Sequence, residues 1–394
     1  MPALQIYDPR ERALVAAGDA VLTAAAALAR PFRRRSLPAN IRRILLLRLE
    51  RIGDLLMALP AIADVHAAAP QAEIDLVVGS WNAELANSIR GVTRVQTLDA
   101  SWLARESGGA TLPSMLKTAA VWRRRRYDLA INFEPDVRSN LLLAMSGAAW
   151  AVGYRSAGGA AALDQALDYQ PSAHTTDNAR RLVASVLQVP SAPSATSIFE
   201  IPSTKQREAE ALLSRRGRPL VAIHVHGGRA VKQWEPEKFA SVASELAQRR
   251  EATIVLTGGP DDRSLVRQVA GVLPASRVLD VSNLTDLMSV AAVLARCDLV
   301  ITGDTGPMHV AHAVGTPIVA VFGPSDPRRY APRGPRDRVV RIDLPCAPCN
   351  RIRLPPARCT GHTPDCLALI APDRVLDAAL AVLDECGGAW NASA

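Results

Sequence analysis

From Ile44 onward the chain alternates short apolar runs with longer stretches of helical periodicity. Strands are predicted at Ile44–Leu49, Ile74–Val78, Arg94–Leu98 and Asp128–Phe133. Helices are predicted at Asp54–Ala69 and near Ala83–Ile89, Ser114–Arg124 and Val137–Met145. Apolar runs without polar alternation suit strands covered on both faces, and strands alternating with helices build βαβ units around a parallel sheet. Gln170–Ser203 is Pro- and Ser-rich around one predicted helix, Thr176–Leu187, with Pro190–Ser203 as the linker. A second series follows, with strands at Leu220–Val225, Thr253–Thr257, Val278–Val281, Asp298–Thr302 and Pro317–Phe322. Its helices fall at Pro236–Arg249, Asp262–Val272, Leu284–Ala295, Pro307–Val314 and Asp373–Cys386. The expectation is an α/β chain of two facing Rossmann-like domains with an interdomain cleft, where ligands meet the carboxyl ends of the strands.

Boundaries follow from the same pattern. Residues 1–40 form an amphipathic helix with a basic linker, and 41–200 a first Rossmann-like domain. A second Rossmann-like domain covers 201–372, and 373–394 a last helix and tail. Over residues 11–30, Leu14, Val21, Leu22, Ala25 and Leu28 share one face, opposite Asp19, Thr23 and Arg30. Pro31 ends the helix, and Arg33, Arg34 and Arg35 follow. Such a segment either rests on an anionic bilayer or packs on its domain as a surface helix with a solvated charge run.

Length and composition narrow the classes. At 394 residues, two domains are expected, and 48% apolar with 21% charged residues describes a globular chain. No uncharged apolar run reaches the ~18 residues of a membrane span. The net charge of +8 favours an anionic partner. Aromatics at 4% are not interleaved with basic runs, so no nucleic-acid partner is expected. Asp8 and Glu11 lie in the first twelve residues, and no small-residue cleavage site follows a charged leader. A cytoplasmic protein is therefore expected.

Candidate chemistry gathers where predicted strands end. After the first strand, Gly53 permits a tight turn, and Asp54 opens a helix. The carboxylate is either a helix cap or a general base for a hydroxyl group. In the second half, Thr302 to His309 runs from a strand into a helix. Small residues there leave backbone N–H groups and a helix dipole facing an anion. Gly227, Gly228 and Lys232 follow another strand and suit a phosphate, although a solvated lysine explains Lys232 equally well. Asp261, after Gly258-Gly259-Pro260, could accept hydrogen bonds from a ribose or base. Neither a Walker A sequence nor a G-x-G-x-x-G follows either first strand. Cys346, Cys349, Cys359 and Cys366 are spaced x2, x9 and x6, with His362 among them. They could hold a structural zinc or serve as reduced packing residues. His174 and Asp177 precede a helix and could line the cleft or cap it. Arg123–Arg126 is either a solvated face or a site for a phosphorylated ligand.

Arg51-Ile52-Gly53-Asp54 with Leu59-Pro60-Ala61, Lys232-Gln233-Trp234, and Asp304-Thr305-Gly306-Pro307-Met308-His309 together resemble the bacterial ADP-heptose:lipopolysaccharide heptosyltransferases of glycosyltransferase family 9. The likeness runs from about Ile41 to Leu383. It implies a GT-B fold and an inverting, metal-independent glycosyl transfer with no cofactor required and no catalytic metal ligand. ADP-heptose is the implied donor, and a lipid-linked glycan such as the lipopolysaccharide core the implied acceptor. In this resemblance Asp54 matches the proposed catalytic base. Lys232 matches a donor-phosphate lysine and Asp261 an acidic ribose position. Asp304, Thr305, Gly306 and His309 match the loop around the donor's diphosphate and sugar. Gly227 and Gly228 replace hydroxyl-bearing donor contacts of some members, and the N-terminal helix is an addition to the shorter family pattern. The resemblance places the enzyme in the cytoplasm, peripheral on the inner membrane. Other nucleotide sugars with non-lipopolysaccharide acceptors, and a non-catalytic sugar-nucleotide-binding module, are the alternative readings.

Overall fold

The computed structural model describes residues 9–29, 36–103, 109–189, 198–284 and 286–390. The chain divides into two compact units, Met1–Ile198 and Phe199–Ala394. In the first, β1 (Arg43–Arg48), β2 (Glu73–Val78), β3 (Arg94–Thr97), β4 (Leu129–Asn132), β5 (Trp150–Tyr154) and β6 (Gln165–Leu167) form one sheet in the order β3-β2-β1-β4-β5-β6. All five pairings are parallel. In the second, β7 (Leu220–His224), β8 (Thr253–Thr257), β9 (Val278–Asp280), β10 (Leu299–Gly303), β11 (Ile318–Val321) and β12 (Arg338–Val340) pair in the order β12-β11-β10-β7-β8-β9, again all parallel. Counted from its own first strand, each sheet has the dinucleotide-fold order 3-2-1-4-5-6, with the chain reversing direction between the first and fourth strands.

Central strands and covering helices explain why these residues fold this way. Ile44 to Leu47 on β1 and Leu220 to Ile223 on β7 are buried almost completely, because helices cover both faces of each sheet. The helix Pro236–Arg249 presents Phe239, Val242, Ala243 and Leu246 to the second core, at the three- and four-residue spacing of one helical face. Trp234 and Phe239 meet edge to face at 4.7 Å in the same cluster. The predicted inner strands and most helices are present. The strands β5, β6 and β12 and the helix Ser203–Leu213 are additions to the sequence-based expectation.

The N-terminal helix, Pro9–Ala29, differs from expectation in its orientation. Asp19, expected on the outward polar face, turns inward, and its carboxylate accepts a hydrogen bond from Gly159 N at 2.7 Å. Val15 lies against Gly158, where an added Cβ would come within 2.7 Å of its methyl group. Leu14 and Val21, placed with Leu22 on one apolar face, are 76% and 70% exposed. Leu22 is half-buried. Arg30 and Arg33 to Arg35 lie outside the described residues, as does most of the Pro190–Ser203 linker. Among the described residues no helix is long and apolar enough to cross a membrane.

Ionisable groups are buried in both units. Arg48, the last residue of β1, is 2% exposed, and its Nη1 donates to Phe133 O at 2.6 Å. Glu134, 1% exposed just beyond β4, accepts from Leu49 N and from Ser139 Oγ. Burial pushes the Glu134 carboxyl upward, while the Ser139 hydroxyl, the Arg48 charge and the Leu49 N–H oppose that rise. Burial would likewise lower the Arg48 pKa, but Glu50, Asp54 and Glu134 raise it above its ordinary value. In the second unit, His224 closes β7, with Nδ1 3.1 Å from Thr257 Oγ1. Burial brings its pKa down to about 4.

Two predictions follow from these buried groups. Arg48→Met should cost ~3–5 kcal/mol in a urea titration, because Glu134 loses its compensating charge. Adding Glu134→Gln should recover part of that loss, and strict additivity of the two changes would contradict the coupling. His224 stays neutral in the folded chain while the unfolded chain takes up its proton near pH 6.5. Its stabilising contribution is therefore complete above pH 6.5 and is lost as pH falls toward 4. The loss amounts to about 3 kcal/mol, and His224→Gln should flatten the stability curve across that window.

Candidate active site

Both groups of expected site residues lie where the strand order reverses. In the first unit, β1 leads through Leu49–Arg51 into the helix Ile52–Ala68, which places Asp54 as its third residue. Its Oδ2 accepts from Arg51 N at 3.2 Å, and its Oδ1 is 3.5 Å from Arg48 Nη2. Arg48 Nε also donates to Asp54 O at 3.1 Å, and Arg48 Nη1 pairs with Glu50 at 2.8 Å. The aspartate thus completes the helix start from inside the first turn, while its side chain remains 27% exposed. The carboxylate of Asp54 is thus both tied into the helix start and accessible to solvent.

Several side-chain contacts hold the turn around Asp54. Trp81 Nε1 and Asn82 Nδ2 both donate to Glu50 O, at 2.9 and 2.8 Å. Arg51 stacks over the Trp81 ring at 5.1 Å and donates through Nη2 to Leu103 O at 2.7 Å. His174 is buried and caps the helix Thr175–Ala184, its Nδ1 accepting from Thr176 N at 3.2 Å. Asp177 lies in the first turn of that helix. Arg123 and Arg125 are held by Met145 O and Glu73, respectively, and Glu73 begins β2. Arg125 thus sits at the amino edge of the sheet, the end opposite Asp54.

In the second unit, β10 ends at Gly303, and Thr305 begins the helix Gly306–Ala313 with Pro307 in its first turn. Asp304 lies between them, 9% exposed, and Lys232 Nζ donates both to its backbone oxygen and, at 3.0 Å, to Oδ2. Burial alone would raise the Asp304 carboxyl. The charges of Lys232 and His309 and the Ser325 hydroxyl outweigh it and hold the carboxyl below its usual range. His309, 7% exposed, lies in the same helix. Thr302 and Thr305 share a hydroxyl–hydroxyl contact of 3.2 Å beneath the loop. The structure therefore brings Lys232, Asp304, Thr305, Gly306 and His309 together.

Gly227 is required by the turn itself. A Cβ there would meet the Lys232 carbonyl group at 2.6 Å, and Gln233 ties the turn by accepting from Gly227 N at 2.8 Å. Gly228 adopts φ +71°, which favours glycine, and faces open space. Asp261 is exposed in the turn Pro260–Asp262. Its neighbour Asp262 is the one built into that turn, accepting from Gly259 N at 2.7 Å and pairing with His226 at 3.0 Å. Arg48, Glu134, His226 and Ser325 were not singled out from sequence. Arg48 had a visible signal, a lone cation inside an apolar run. The other three had none.

The cysteine loop divides by environment. Cys297 and Cys386 are buried, whereas Cys346 is exposed and Cys349 and Cys359 are half-exposed. Burial pushes the Cys366 thiol up to about 11, and Cys349, Cys346 and Cys359 add to the rise. Among the described residues, no three His, Cys, Asp or Glu side chains are already arranged to hold a metal ion.

Comparison with known proteins places this geometry. The chain is 25% identical over 170 residues to the lipooligosaccharide heptosyltransferase 2 of Campylobacter jejuni, covering 42% of this chain and 52% of that protein. It thus spans about half the length of the first curated relatives it matches. With the lipopolysaccharide heptosyltransferase 1 of Pseudomonas aeruginosa it shares 26% identity over 329 residues, 78% of this chain and 86% of that one. The solved structure of the Escherichia coli ADP-heptose lipopolysaccharide heptosyltransferase II superposes with a TM-score of 0.69 at 21% identity. That match covers 87% of this chain and 99% of the other, and it shows the GT-B fold. A family model described as glycosyltransferase family 9 (heptosyltransferase) matches residues 115–355, more than half of the sequence, and the chain belongs to that family.

Proposed function

We propose that this chain is an inverting, metal-independent glycosyltransferase. It moves a heptose or related sugar from an ADP-sugar to a lipopolysaccharide-core or similar glycolipid acceptor at the cytoplasmic face of the inner membrane. The observation that carries this reading is common to both units. At each switch point an aspartate is fixed by a cation, Arg48 to Asp54 and Lys232 to Asp304, at 3.5 and 3.0 Å. The names of the heptosyltransferase relatives and of the similar E. coli structure support the donor and acceptor classes.

In this mechanism Asp54 takes the proton from the acceptor hydroxyl as that oxygen attacks the anomeric carbon. Arg51 N and Arg48 orient the carboxylate, leaving its exposed edge for the hydroxyl. The sugar departs from a diphosphate that gains negative charge. That charge is met by Lys232, the amide groups at the Thr305–Gly306 helix start and His309, in place of a metal ion. Asp261, exposed beside the second unit's turn, contacts the nucleoside ribose. Attack on the face opposite the leaving group inverts the anomeric carbon. The most direct test is a turnover screen of ADP-, UDP- and GDP-sugars against core lipid and simpler acceptors. Turnover only with UDP- or GDP-sugars would overturn the donor assignment.

Asp54→Asn should abolish transfer while leaving donor affinity within a few-fold, read by single-turnover assay and calorimetry. An asparagine variant with wild-type turnover would remove Asp54 from the role of base. Lys232→Ala should weaken donor binding roughly ten- to hundredfold, since a charge-assisted hydrogen bond contributes ~1.5–3 kcal/mol. Thermal unfolding measured on the same variant separates lost binding from the cost of leaving Asp304 without its partner. Donor affinity that is unchanged by the substitution, or that requires added magnesium, would count against the phosphate role.

A further inference from the structure

Three of the four clustered cysteines behave unlike packing residues. Free cysteine is among the most buried residue types, and Cys297, Cys366 and Cys386 conform to that rule. Cys346, Cys349 and Cys359 do not. Instead all four cysteines of the loop, with Val231 and Pro324, line one pocket. Their positions come from different local structures. Cys346 and Cys349 lie on the irregular stretch after β12, Cys359 ends the short turn Ala357–Cys359, and Cys366 lies on the helix Asp365–Ala368. A sequence spacing of x2, x9 and x6 is thus folded back so that all four residues line the same pocket.

We propose that these four thiols bind a single soft divalent ion of the zinc class as tetrahedral thiolates. Four cysteines satisfy the coordination number of a closed structural site and leave no open position for substrate. The four cysteines now line the pocket without converging on one point. Binding therefore draws Cys346 and Cys359 inward, a local ordering coupled to metal uptake and to loss of the thiol protons. Between Cys349 and Ala357 the described chain has no regular helix or strand to resist that movement.

The site would brace the loops assigned to the donor. Cys349 N and Asn350 N both donate to Pro324 O, at 3.1 and 2.8 Å, and Asn350 Oδ1 accepts from Asp326 N at 2.8 Å. Ser325, between those two anchors, is the residue that hydrogen-bonds the Asp304 side chain. Val231, on the pocket wall, directly precedes Lys232. An ion that fixes the cysteine loop thereby fixes the backing of the Lys232–Asp304 pair without touching it.

Metal content of the full chain purified under reducing conditions tests the proposal, and it does not depend on which sugar is transferred. Mass spectrometry of the elements should find one zinc or iron ion per chain, the element distinguishing the two soft metals. Cobalt added to the stripped protein should give thiolate-to-cobalt charge-transfer absorption. Both signals should vanish in Cys346→Ser/Cys349→Ser and persist in Cys297→Ser. Protein that carries no stoichiometric ion, and that shows no charge transfer with cobalt, overturns the site. If the double variant does not fold, the wild-type measurements alone decide the question. Stripping the ion should also weaken donor binding several-fold, with recovery on readdition. Unchanged donor affinity would overturn the bracing role while leaving the ion in place.

Discussion

A parallel sheet covered by helices on both faces has no lateral surface for chemistry, and that constraint governs this molecule. The side chains of β1 and β7 are used up in burial, so polar groups can meet solvent only where the strands end. Reversal of strand order then opens the space between two neighbouring loops, because the connections on either side run to opposite faces. Asp54 follows the first strand of one such reversal, and Asp304 follows the fourth strand of the other. The two units place these groups after different strands, Asp54 in the helix turn after β1 and Asp304 at the helix start after β10.

Each reversal also carries a charge that the core must compensate. Arg48 is the more costly, because its guanidinium is nearly unexposed and an uncompensated buried ion costs several kcal/mol. Phe133 O, Glu50, Asp54 and the nearby Glu134 share that compensation, which locks the ends of β1 and β4 to each other. Glu134 in turn ties Leu49 N to Ser139 on the following helix. The rigidity of the Asp54 turn is therefore a consequence of burying one cation. Lys232 plays the lighter version of this part, with an 18% exposed side chain and a single carboxylate partner.

The sequence was most legible where burial is most complete. Inner strands such as Thr253–Thr257 present an uninterrupted apolar run, and the helix Pro236–Arg249 a clear amphipathic face. The inner strand Trp150–Tyr154 is an exception, buried yet missed because Gly153 interrupts its apolar run, and at the edge strands β6 and β12 the signal fades. Gln165–Leu167 is only half-buried, and Arg338–Val340 buries Val340 alone. The helix Ser203–Leu213 buries just Ala209 and Leu213, too few positions to set a period. Asp19 was misassigned because a lone carboxylate on a helix reads as solvent-facing until a distant backbone N–H, Gly159, claims it. At the site, glycine turns and helix starts marked Asp54 and the Asp304–His309 loop. The partners Glu134 and Ser325 stayed hidden, since their contacts cross 85 residues to Leu49 and 21 to Asp304 and leave no spacing to read.

The different exposure of the two ion pairs suits the roles proposed for them. A base must hold one geometry while a proton arrives, which favours a carboxylate fixed by the deeply buried Arg48. A group that stabilises a leaving diphosphate does most when its interaction strengthens as charge develops. Lys232 enters that step already paired with Asp304, so the local charge is close to balanced before a donor binds. In the mechanism proposed above, the charge growing on the diphosphate as the bond to the sugar breaks would compete better for the ammonium group than the ground-state phosphate would. The share of Lys232 given up by Asp304 would then increase along the proposed reaction, and the neighbouring Ser325 hydroxyl would remain to stabilise the carboxylate it leaves. A lysine without that partner would bind substrate and transition state more nearly alike, tightening the ground-state complex and gaining less in rate.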